Sequence, residues 1–205
     1  MRGTLVYIDG QNFLYGVAES LISAGIISDK QEVNSIDIPF LLKEVVEGES
    51  VKYKYYGVSK IQRHTEYGND ILAKAMRFSD NLRRLKNCLR KTGVNYLGVG
   101  SLKVRDRDEC KKCGAKDYKF QEKGVDVGLA VDLVNDAFDK KVKKIVLISS
   151  DTDLIPAIKI IKEKNIELVY VAFDGRVTRS ISRLASKTVA LSVSVVAEAY
   201  ARSLK

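Results

Sequence analysis

The feature that most constrains this chain is a succession of short apolar runs, rich in Val, Ile and Tyr, separated by stretches of helical periodicity. The runs are Thr4–Asp9, Val51–Ser59, Val94–Val99, Lys144–Ser150, Ile166–Phe173 and Thr188–Ser192. Their length and their β-branched and aromatic content read as strands. Between them, Ile71, Ala75, Phe78, Leu82, Leu85 and Leu89 recur at alternating steps of four and three residues along one helical face, predicting a helix that ends near Gly93. Strands alternating with helices build βαβ units. The expected fold is therefore α/β, a three-layer α/β/α sandwich of Rossmann-like construction around a mainly parallel sheet. In such sheets the functional crevice opens beyond the carboxyl ends of the strands, near a switch in strand order, so the residues that follow each strand matter most.

A chain of 205 residues with 2 prolines, no internal repeat and no linker-like tract fits one domain over residues 1–205. The one compositional interruption is Lys103–Lys123, KVRDRDECKKCGAKDYKFQEK, charged and short of aliphatics, which reads as an insertion or loop. Lys and Arg number 35 against 26 Asp and Glu, and the resulting +9 favours an acidic polymer such as nucleic acid as partner. No segment approaches the ~18 uninterrupted apolar residues of a membrane span, and the first residues lack the apolar core of a secretory signal. A cytoplasmic location without membrane contact is expected. An odd number of cysteines, 3, argues against a disulfide framework and for reduced thiols or a metal site.

Acidic residues cluster where strands end. The first strand closes on Asp9, followed by Gly10, Gln11 and Asn12; IVLISSDTDL carries Asp151 and Asp153; and Asp126, in KGVDVGLAVDLV, opens a helix. If the strand continues through Asp153, Asp151 and Asp153 point to one side. Gathered carboxylates share a proton, shift their pKa or bind a cation, and hard oxygen donors with a single histidine in the whole chain select Mg²⁺ or Mn²⁺ over Zn²⁺. Each Asp taken alone also fits an ordinary helix N-cap.

VYIDGQNF at Val6–Phe13, EKGVDVGLAVDLV at Glu122–Val134 and ISSDTDLIPAIKIIKEKNIELVYVA at Ile148–Ala172 together resemble, in order and spacing, the NYN domains, especially the LabA-like branch, within the PIN-like nucleases. Ser150 stands where that family often has glycine. The resemblance implies a PIN-like fold whose acids hold a divalent metal and hydrolyse RNA phosphodiester bonds. Its metal-site acids would fall on Asp9, Asp126, Asp151 and Asp153, with Asn12 as polar partner. Asp132, six residues beyond Asp126 and so rotated off its face, ranks behind them as a surface or supporting residue. The expected function is a metal-dependent ribonuclease. Its alternatives are an RNA-binding or regulatory adaptor that does not cut, and a phosphohydrolase acting on a small nucleotide.

RNA binding needs cations beside the acids. Arg77, Arg84 and Lys91, spaced by seven, form a stripe on the predicted helix, broadened by Arg83, Lys86 and Arg90; Arg176, Arg179 and Arg183 follow the strand that ends at Phe173. A solvated helix face is the plain alternative for the stripe. CKKCG at Cys110–Gly114 has the form of a zinc knuckle, which needs two further ligands from Cys88, His64, a carboxylate or a second subunit in a homodimer. A free thiol pair or a redox dithiol are its competitors. Cys88, beside Leu89, reads as a small buried hydrophobe.

Overall fold

The structure, a computed structural model, describes residues 3–46, 50–61, 69–106, 114 and 118–205. Their order is β1 (Gly3–Asp9), α1 (Gly10–Ser23), α2 (Ile38–Leu41), β2 (Val51–Ile61), α3 (Asn69–Lys91), β3 (Asn95–Asp106), β4 (Tyr118–Lys123), α4 (Val125–Ala137), β5 (Val142–Ile148), α5 (Ile155–Glu163), β6 (Glu167–Phe173), α6 (Arg179–Ser182), β7 (Lys187–Leu191) and α7 (Val193–Ser203).

Side-chain alternation along the central strands decides the layering. On β1, Val6 and Ile8 enter one apolar cluster while Leu5 and Tyr7 enter the other; β5 divides Val146 and Ile148 from Ile145 and Leu147, and β6 divides Val169 and Val171 from Leu168 and Tyr170. Successive residues of a strand point to opposite faces, so a sheet with both faces apolar must be covered on both. Phe13, Val17 and Leu21 of α1, Leu85 and Leu89 of α3 and Val196 of α7 close one face. Leu129 and Leu133 of α4 and Ile158 and Ile161 of α5 close the other. The fold is the expected α/β/α sandwich.

The sheet order is β4-β3-β2-β1-β5-β6-β7. All neighbouring pairs are parallel except β3 with β4, which run antiparallel from Ser101↔Lys123 to Asp106↔Tyr118. From β1 the chain builds outward through β2 and β3, then returns to β1's other side with β5 and builds outward again. The switch in strand order therefore lies between β1 and β5, and their carboxyl ends frame the crevice.

The long helix α3 ends at Lys91, near Gly93 as expected, and Gly93 follows it with φ +76°. The segment Lys103–Lys123 differs from its reading as a loop. Its first residues continue β3 to Asp106 and its last form β4, so its described ends are a two-stranded sheet edge. Leu102 and Val104 are buried and Phe120 packs against the same cluster, an alternation hidden by the intervening charges, which an edge strand tolerates on its solvent face. Cys110, Cys113 and His64 lie outside the described residues. Cys88 is half-buried, and its thiol donates to the Ile36 carbonyl at 3.6 Å. No helix among the described residues is long and apolar enough to cross a membrane.

Candidate active site

Asp9 is the last residue of β1 and the N-cap of α1; its carboxylate accepts from the Asn12 amide N–H at 3.2 Å. It is also a buried carboxylate, 1% exposed, and its remaining donors are neutral: Asn12 Nδ2 at 2.6 Å and Ser149 Oγ at 2.7 Å. The chain can turn this sharply into α1 because Gly10 follows. A Cβ there would stand 2.4 Å from the Tyr56 carbonyl oxygen and 2.5 Å from the Tyr55 ring.

On the other side of the switch point β5 ends at Ile148, three residues before Asp151. The strand does not persist, so Asp151 and Asp153 are not brought together by extended alternation as the sequence suggested. Asp151 instead caps a single 3-10 turn, Thr152–Leu154, and accepts from the Asp153 N–H at 2.9 Å; Asp153 occupies that turn. The capping role and the acidic cluster are the same residues doing both. Ser149 links the two strand ends, since its hydroxyl donates to Asp9 and accepts from the Asp151 N–H at 3.1 Å. Ser150, standing at the family's usual glycine, donates through Oγ to the Asn12 amide oxygen. Asn12 is thereby held between Ser150 and Asp9, and it acts first as a positioning group for Asp9.

Asp126 lies in the first turn of α4, where the helix N-terminus favours an anion. Gly124 makes the turn from β4 into α4 with φ +82°, a left-handed conformation that L side chains rarely adopt. Burial first, then Asp9, Asp151 and Asp153, push the Asp126 carboxyl above its ordinary range. The four sequence-predicted acids thus share one electrostatic neighbourhood. A fifth joins them that the sequence reading passed over. Glu122 of β4 is half-buried, and desolvation, then the charges of Asp9 and Asp126, push its pKa up to about 7. Its signal was the alternation of Phe120 with Glu122 in YKFQEK, masked by the charged context.

Ion pairs among the described residues go elsewhere: Lys30 and Arg176 to Glu19, Lys54 to Asp136, Arg202 to Asp37 and Arg83 to Asp80. Among those residues no three His, Cys, Asp or Glu side chains converge tightly enough to enclose an ion by themselves. The donor set still fits Mg²⁺ or Mn²⁺, hard cations that keep much of their water and need only one or two direct carboxylates. Asp132 stands apart from this group: it accepts from the Tyr56 hydroxyl at 2.7 Å, on the side of α4 that meets the sheet.

The basic residues divide. Arg176 borders a small recess with Asn12, Ser149 and Ser150, and Arg179 begins the short helix α6 behind Thr178, whose hydroxyl donates to the Ser150 carbonyl at 3.3 Å. Arg77, Arg84 and Lys91 are exposed on α3. The neighbouring face of that helix, about a quarter turn away through Phe78, Asn81, Leu82 and Leu85, lines a cleft of about 380 Å³ together with Gly10, Gln11 and Glu122.

Known proteins agree with this architecture. A protein of unknown function from Vibrio parahaemolyticus, VPA0982, superposes with a TM-score of 0.57 over 93% of both chains at 19% identity, a likeness of fold. The 6-hydroxy-3-succinoylpyridine 3-monooxygenase HspA of Pseudomonas putida is 27% identical over 177 residues, 78% of this chain, and the chain spans 55% of that protein's length. The NYN domain model matches residues 3–192, and the chain belongs to the NYN domain family, within the PIN-like nuclease superfamily.

Proposed function

We propose that this protein is a metal-dependent ribonuclease that hydrolyses RNA phosphodiester bonds at the switch point of its sheet. The observation that carries the reading is the gathering, at the switch point, of carboxylates from separate elements: Asp9 after β1, Asp126 at the start of α4, and Asp151 and Asp153 after β5. Burial first, then the charges of Asp9, Asp151 and Asp153, raise Asp126. Folding does not gather like charges in a crevice without a compensating ligand or a chemical use.

Asp9, Asp126, Asp151 and Asp153 would hold Mg²⁺ or Mn²⁺, in part through water. Such an ion polarises a phosphate and acidifies bound water. The chain's own residues supply the rest. Ser149 and Asn12 fix the Asp9 carboxylate by hydrogen bonds, so it needs little reordering when a phosphate arrives. Asp126, in the first turn of α4, would reach the ion directly or through water. Arg176, next to Asn12 and Ser150, supplies positive charge toward a phosphate.

End-labelled RNA incubated in Mn²⁺ or Mg²⁺ with wild type, EDTA-treated protein and Asp151→Asn tests the reading. Cleavage that needs the metal and falls by at least about 100-fold in Asp151→Asn supports it. Equal cleavage by a folded Asp151→Asn protein rejects it, and salt-sensitive RNA binding without cleavage by any sample favours the adaptor.

A second reading comes from the named activity of the Pseudomonas relative: a pyridine-like ring in the cleft beside Glu122. The cleft volume admits one. It ranks second because the identity is 27%, the chain spans 55% of that protein, and the clustered acids then lack a role.

A further inference from the structure

We propose that the cleft beside the carboxylates is a subsite for one unstacked base of the RNA strand, adjacent to the phosphate being cut. The inference rests on the ribonuclease reading and adds to it how the strand is seated. At about 380 Å³ the cleft lies within the range of small-molecule sites, about 300–1,000 Å³, large enough for a planar ring and too small for a duplex.

Its walls suit that occupant. Tyr15, Phe78, Tyr96 and Phe120 line it, and its floor is rigid: Tyr55 and Tyr96 stack with centroids 5.6 Å apart, and the Tyr55 hydroxyl donates to the Gly10 carbonyl at 3.1 Å. Phe78 and Tyr15, 38% and 43% exposed, border this same cleft and so offer ring surface to an occupant. Base–aromatic stacking tolerates any base, because every base has a π-face. Polar groups with edges to offer, Gln11, Asn81 and Glu122, are set among these rings, as ligand pockets require for orientation.

Charge complementarity favours a nucleotide. Lys30 and Arg176, two cations that share the single carboxylate of Glu19, lie over the Tyr15 ring at 3.8 and 4.5 Å, and Lys86 lies over Tyr96 at 4.4 Å. Cations therefore stand on the rings, while the lining is mostly apolar apart from Gln11, Asn81 and Glu122. A nucleotide has the matching pattern, a planar ring to insert and a phosphate to leave outside. Gly10 and Gln11, which follow Asp9, border the cleft together with Glu122, so a base held there leaves its phosphate beside the acids.

The test is binding of a fluorescein-labelled ten-nucleotide single-stranded RNA in EDTA, which blocks cutting. It is compared with the same strand carrying one abasic nucleotide walked through every position. Loss of a single base is expected to weaken binding about tenfold at one or two adjacent positions and little elsewhere. In Phe78→Ala and in Tyr15→Ala, two exposed positions where the fold should survive, the intact strand should bind as weakly as the abasic one. Phe78→Tyr should restore the difference. Equal affinity for every abasic strand, or discrimination that persists in both alanine variants, overturns the subsite even if RNA is cleaved in Mn²⁺. Site-specific discrimination without cleavage keeps the subsite and overturns the nuclease. Absence of both binding and cleavage overturns both.

Discussion

Ser149 joins the two halves of the site; it lies in the ISSDTDL block but is not an acid, and nothing in the sequence marks it as a link to Asp9. Ser149→Ala removes a donor from buried Asp9 and an acceptor from the Asp151 N–H. Leaving a buried carboxylate short of a partner costs about 1–3 kcal/mol, and displacing it should lower RNA cleavage about tenfold. Urea unfolding and single-turnover cleavage read the two effects separately. Glu122 supplies a pH dependence. Its pKa rises from 4.5 in the unfolded chain to about 7 in the fold, so the native state holds a proton that the unfolded chain has released. Its contribution to stability is complete below about pH 4.5 and is lost as pH rises through 7. The full shift corresponds to ~3 kcal/mol, which partial exposure reduces to about 1 kcal/mol. In EDTA, wild type should lose that much more stability than Glu122→Gln between pH 5 and pH 8, measured by urea titration.

Elements decide which of these residues meet. The turn from β4 to α4 carries Glu122 and Asp126 four residues apart across Gly124, whose φ of +82° no other residue type adopts comfortably. Nothing lies within 4 Å of a Cβ built there, so Gly124→Ala tests backbone conformation alone. About 1–2 kcal/mol of lost stability is expected, together with reduced cleavage because Asp126 is re-aimed. Gly10 fails for the opposite reason. Its φ is ordinary but space is absent, and Gly10→Ala should lower thermal stability by 1–3 kcal/mol, about that of an overpacked core. The 3-10 turn after β5 shows the same principle at smaller scale, because a cap brings Asp151 and Asp153 side by side where an extended strand was expected.

At the scale of the molecule, +9 net charge predicts salt-sensitive RNA binding, and the fold predicts which cations contribute most. Arg176 borders the recess with Asn12 and Ser150, and Arg179 sits nearby on α6, while Arg77, Arg84 and Lys91 stand on the outer surface of α3. With a ten-nucleotide RNA, Arg176→Ala combined with Arg179→Ala should reduce the slope of log K against log salt by about 1.4, roughly 0.7 for each lost phosphate contact. The combined substitution of Arg77, Arg84 and Lys91 should change it less. An unchanged slope in the Arg176 and Arg179 variant would remove both from the interface.

Periodicity alone determined the layers of this protein: strands with both faces apolar, such as LVYI and IVLI, must be covered on both sides, and the intervening helices can do so. Sequence also singled out Asp9, Asp151 and Asp153 as candidates, because strand ends are where parallel sheets open a crevice, and Asp126 as the opening of a helix. What it did not contain was neighbourhood across distance. Glu122 and Asp9 are 113 positions apart and Ser149 and Asp9 140, and the charged context of Lys103–Lys123 obscured the edge hairpin that delivers Glu122. Strand order, which only tertiary packing settles, placed β5 beside β1 and so set their acids face to face. The same packing left a gap between α3 and the sheet, because Phe78 sits on the helix's apolar stripe yet meets open cleft. Local pattern fixes which side of an element is apolar; whether that side finds a neighbour or a ligand depends on the distance to the next element.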